Sequence, residues 1–130
     1  MIHRDPRMDP DFWKNLSCDD ATLDAVGKVT DALETIEIAR GHLYAFHRMT
    51  GTAEREISEA AALLEKAGHE DEAERLRRQF SGRCVLEGRW TYQVVEEYDG
   101  LFYGPFRQLE AEVRDLVGGH RHLHEARLRR

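Results

Sequence analysis

The stretch from Asp19 to Met49 contains no proline, and its apolar side chains return every three or four positions. Ala25, Val26, Val29, Ala32, Leu33, Ile36, Ala39, Leu43 and Phe46 fall on one stripe at the 3.6-residue period, which predicts a long amphipathic helix. Such a rod runs roughly 45 Å at 1.5 Å per residue. A globule of 130 residues has a radius of gyration of only about 14 Å, so the rod calls for an elongated fold. Ala25, Ala32 and Ala39 also recur every seven residues, which would let a neighbouring helix approach closely.

The rest of the chain is punctuated by glycine. Ser17 or Asp19 caps the long helix, with Asp20 in its first turn. Gly51 is expected to end it, with Thr50 or Thr52 capping a second helix marked by Ala53, Ile57, Ala60, Leu64 and Ala67. Ala73, Leu76 and Phe80 mark a short third helix, and residues 82–88 read as a connector between two glycines. A second long stripe follows Trp90: Val95, Tyr98, Phe102, Phe106, Leu109, Val113 and Leu116. It passes through Gly100, Gly104 and Pro105, where a kink is expected because proline removes a helical hydrogen bond. The prediction is an all-α fold, an elongated irregular antiparallel helical bundle with two long and two shorter helices. Residues 1–16 form an N-terminal arm, anchored by Phe12 and Trp13, and residues 17–130 form a single domain.

Composition excludes several function classes. Hydrophobic residues at 41% and charged residues at 34% are too apolar for a disordered chain. The unbroken apolar runs are too short to span a bilayer. The net charge of -6, with both signs interspersed, leaves no basic footprint for nucleic acid. Arg121, Arg127, Arg129 and Arg130 make the tail locally basic, in the manner of a solvated helix end. The first residues lack the apolar core of a secretion signal, so a cytoplasmic location is expected. Cys18 and Cys84 stand alone and read as free thiols.

No catalytic motif is present, and the sequence assigns no catalytic residue. Candidate functional residues are instead the polar ones lying where a plain bundle would be apolar. On the first long helix, Arg40 and His47 fall inside the stripe, flanked by Glu37 and Tyr44. On the second, Tyr92, Glu96, Asp99 and Tyr103 share one edge. If the two edges meet, they form either an internal ion-pair network, with Arg40 on Glu96 or Asp99, or a ligand site. His47, Glu96, Asp99 and His120 are the candidate metal ligands in the second case. His120 and His124 also have the i, i+4 spacing for a metal, with His47 as a third ligand and Glu125 or another carboxylate as a fourth, although the favoured reading is a polar, partly exposed tail. His42 reads as a surface or interface residue, His69 as part of a turn, and His3 as part of the arm.

The leading expectation is a non-enzymatic protein that acts as a homodimer and binds a protein partner or a small ligand, with no resident cofactor. Dimerisation follows from the large apolar face of an elongated hairpin and from the prevalence of two-fold symmetry. The alternative is a metal-binding protein or metal-dependent enzyme, with a divalent ion held by histidine and carboxylates inside the bundle.

Overall fold

The computed structural model describes residues 4–129, so His3 and Arg130 lie outside the described residues. The fold is all-α, and the described residues form no strand beyond a single bridge between Leu86 and Arg89. Six α-helices occur among them: α1 (Pro10–Asn15), α2 (Asp20–Lys66), α3 (Glu70–Phe80), α4 (Thr91–Tyr98), α5 (Gly104–Arg114) and α6 (Leu123–Ala126). A π-helical turn, Asp99–Tyr103, joins α4 to α5. The chain divides into two compact units, Met1–Ile38 with Leu101–Arg130 and Ala39–Gly100.

Gly51 does not end a helix. The two helices expected on either side of it are one, α2, of 47 residues. The threonines explain why. Thr50 donates its hydroxyl to the Phe46 carbonyl (2.7 Å) and Thr52 to the Arg48 carbonyl (3.2 Å), so both bond back along the helix instead of capping a new one. Gly51 is also absent from the positive-φ glycines, whereas Gly68 has φ +91. There the His69 amide donates to the Leu64 carbonyl at 2.8 Å, and the left-handed glycine terminates the helix. At the other end, Asp19 accepts from the Thr22 amide (2.7 Å), and the Thr22 side chain together with this amide holds the Asp19 carboxyl below its ordinary range.

In the first unit, Leu23 and Val26 of α2 are buried with Val117 and Leu123. Phe12, Trp13, Leu16 and Cys18 pack against this cluster, and burial pushes the Cys18 thiol up. The arm is held down as expected from its aromatics: Trp13 Nε1 donates to the Arg7 carbonyl at 2.7 Å. Ala25, Ala32 and Ala39 are exposed, so the heptad of alanines faces away from the core and against no neighbouring helix.

The second stripe departs in part from its expected line after the kink. The stripe expected after Trp90 puts Leu109 and Leu116 inward with Val95. They are instead 52% and 63% exposed, while Glu110 and Val117 are buried. Phe106 and Val113 of the same stripe stay half-buried, so the inward line of α5 runs through them and takes in Glu110 and Val117 on one edge, with the leucines on the other. Pro105, which lacks an amide proton, sits in the first turn of α5, directly after the π turn.

The second unit has a smaller core of Ala61, Ala73 and Val95. Here the Trp90 amide donates to Gln93 Oε1 (3.0 Å) and so closes the start of α4. Phe46, Phe80, Val85 and Trp90 stay substantially exposed around it.

Candidate functional site

The polar seam expected from spacing resolves into separate pairs. In the second unit, Arg40 grips Asp99 with two parallel bonds, Nε to Oδ1 at 2.7 Å and Nη2 to Oδ2 at 3.0 Å. The guanidinium also lies 4.9 Å from the centre of the Tyr44 ring. This fork holds the Asp99 carboxyl below the usual carboxylate range. Asp99, one turn on from Glu96, takes the arginine, and Glu96 is exposed. In the first unit, Tyr103 donates its hydroxyl to Glu37 Oε1 at 2.9 Å.

His47 finds a partner the spacing does not suggest. Its Nδ1 lies 2.6 Å from the hydroxyl of Thr91, the first residue of α4, and its ring is 5.3 Å from that of Tyr92. The four residues expected to bind metal do not gather. Asp99 is taken by Arg40, Glu96 faces solvent, and His120 belongs to the other unit, edge-on against Phe12 at 4.9 Å. Among the described residues, the three groups whose ligand atoms come within 4.8 Å of one another are Asp31, His122 and Glu125.

The His47–Thr91 pair forms part of the wall of a cleft of about 890 Å³ in the second unit. One wall is α2, through Thr50, Ala53, Glu54 and Ile57. Opposite it stand Phe80 at the end of α3, Arg83, Cys84 and Val85 of the connector, and Trp90 and Tyr92 at the start of α4. The lining is mainly aliphatic and aromatic, and His47, Glu54, Arg83 and Thr91 supply isolated polar groups. With Nδ1 taken up by Thr91, a molecule in the cleft would meet the other ring nitrogen of His47. The continuity of α2 through Gly51 builds the first wall, since a helix break there would separate His47 from Ile57. Sequence spacing singles out His47 and Tyr92 here but misses the connector, because nothing in its composition says which way its side chains turn.

A buried carboxylate in the first unit was also not visible in the sequence. Glu110 is 1% exposed, its Oε1 accepts from the Thr30 hydroxyl at 3.4 Å, and Oε2 is buried with no hydrogen-bond partner. Arg114 Nε lies 2.7 Å from Oε1 but out of line for a hydrogen bond, so the contact is chiefly one of charge. No protein-family model matches the chain, and comparisons with curated proteins and with solved structures find no match to either. No helix among the described residues is long and apolar enough to cross a membrane.

Proposed function

We propose that the protein is a non-enzymatic binding protein whose ligand is a largely apolar, aromatic organic molecule carrying one polar or anionic group. The observation that carries this reading is the cleft at His47 and Thr91. A volume of about 890 Å³ suits a small organic ligand, and an apolar lining with a few placed polar groups is the usual make-up of such sites. Trp90 and Tyr92 offer ring faces, His47 a hydrogen bond and Arg83 a cation. Cys84 also lines the cleft, and the histidine of the lining is bonded to the Thr91 hydroxyl, not to that thiol.

Anilinonaphthalene sulfonate, an aromatic anion, is a suitable probe. Tag-free protein should bind one equivalent and quench Trp90, a signal separated from Trp13 by the Trp90→Phe variant. Ala53→Trp, which fills the cleft, should weaken binding by about tenfold or more, the equivalent of about 1.4 kcal/mol, with an unchanged helical spectrum. Binding that ignores Ala53→Trp would end this reading.

A second observation favours action as a homodimer. In the first unit α2 and α5 run antiparallel, since Thr30 meets Glu110 while Glu37 meets Tyr103. Exposed Ala25 and Ala32 on α2, and Phe102, Leu109 and Leu116 after α4, are displaced in the same angular sense from their buried lines. In an antiparallel pair they therefore share one side. A two-fold partner would cover that side, with the alanines permitting close approach. Light scattering should give twice the 15.1 kDa chain mass, and Leu109→Glu with Leu116→Glu should halve it. A single-chain mass for the unaltered protein would refute the dimer.

A further inference from the structure

The segment after Gly119 lies back on α2. Arg7 Nη1 donates to the Arg121 carbonyl at 2.5 Å, Arg127 reaches Asp20 (3.0 Å) and Asp24 (2.7 Å), and Leu123 is buried. These ties set His122 and His124 over the turns of α2 that carry Asp31 and Glu34. His122 Nε2 is 2.8 Å from Glu34 Oε1, and His124 Nε2 is 3.5 Å from Asp31 Oδ1. A seat has been cleared for the second ring. A Cβ on Gly27 would lie 2.3 Å from His124 Nδ1, so only glycine admits the imidazole there.

Both histidines keep a buried Nδ1 with no hydrogen-bond partner. A ring nitrogen out of water and unbonded is costly, and a metal ion is one of the few things that satisfies it without a proton. One ligand atom each from Asp31, His122 and Glu125 already lies within 4.8 Å of the others, so that side-chain movements of under about 1 Å would bring all three to bonding distance of a single ion.

We propose that Asp31, Glu125 and Nδ1 of His122 form a binding site for a divalent first-row transition ion, with zinc as the reference metal. One imidazole nitrogen and two carboxylate oxygens suit this class, and they leave a fourth tetrahedral position to water. Glu34 on Nε2 supplies the carboxylate–histidine pairing that fixes the tautomer and orientation of a ligating ring. His124 orients Asp31 from the other side. The site belongs to the first unit and is independent of the cleft proposed above.

The test uses the full, tag-free chain, stripped with a chelator and titrated with cobalt and then zinc, read by visible absorption and calorimetry. One equivalent of cobalt should bind with the intense d–d bands of a four-coordinate ion and be displaced by zinc. Asp31→Asn and Glu125→Gln should each weaken binding by about tenfold or more, and Glu34→Gln by roughly 10–100-fold, with helicity unchanged. His122→Asn removes the imidazole while tolerating the left-handed backbone at φ +60. His120→Ala and His42→Ala should change nothing. No stoichiometric uptake would overturn the proposal. So would uptake that survives Asp31→Asn and Glu125→Gln but is lost on replacing His120, which would mark it as adventitious.

Discussion

Three glycines in the interior of α2 should answer the same substitution with opposite signs. Around Gly41 and Gly51 nothing lies within 4 Å of where a Cβ would stand, whereas at Gly27 that atom would be 2.4 Å from Cγ of His124. Where space is open, alanine for a helical glycine stabilises by about 0.5–1 kcal/mol, chiefly by restricting the unfolded chain. Gly41→Ala and Gly51→Ala should each gain that much, or about 2–5 °C in Tm for a domain of this size. At Gly27 the ring must withdraw by about 1 Å to regain ordinary contact. It has little room to do so, since neighbouring Leu123 is buried and His122 is held at φ +60. Overpacking of this kind costs about 1–3 kcal/mol, so Gly27→Ala should be a net loss of roughly 0.5–2 kcal/mol once the helical gain is subtracted. Urea and thermal unfolding followed by circular dichroism would measure all three. Adding His124→Ala to Gly27→Ala should recover the gain seen at Gly41. If Gly27→Ala alone stabilises as Gly41→Ala does, the imidazole does not rest on that turn and the reasoning fails.

Other perturbations follow from the pairs already described. Glu110→Ala should lose about 3–5 kcal/mol by leaving Arg114 without its buried counter-charge, while Glu110→Leu with Arg114→Met should be neutral or stabilising; a mild loss from the single change would contradict the burial. Asp99, whose carboxyl is held down by Arg40, contributes its stability above the ordinary carboxylate range and loses it as pH falls through the lowered native value. Asp99→Asn should therefore lower Tm at neutral pH and converge with the unaltered protein in acid, the gap staying under about 1 kcal/mol because the pair is partly exposed. A gap that widens in acid would reverse that sign. Thr91→Val should cost about 1 kcal/mol and move the ring resonances of His47 in the NMR spectrum; unmoved resonances would deny the bond.

The helical class and the polar line on α2 were legible because both rest on the 3.6-residue period. Arg40 meets Asp99 and Glu37 meets Tyr103, pairs whose members stand three residues apart on α2 and four apart on the other segment, about one helical turn in each. What the period cannot show is where it stops or which edge of a stripe turns inward. Gly51 looked like a stop, yet a glycine ends a helix only when its backbone turns left-handed, as Gly68 does. Leu109 and Leu116 looked inward because they lie about as close in angle to Val95 as Glu110 and Val117 do on the other side, and the stripe was drawn through the leucines. Glu110 was passed over for the same reason. Asp31 and Glu34 carry no signal in the sequence, since only the return of the tail onto α2 brings imidazoles to them.

Insertions and deletions are ordinarily absorbed where they occur, in loops at the surface. Between Gly100 and Tyr103 there is no loop to absorb one, because the helix runs on from α4 through the π turn into α5. A residue lost there would alter the phase of every side chain that follows along the helix, Glu110 and Val117 included, without changing any of them.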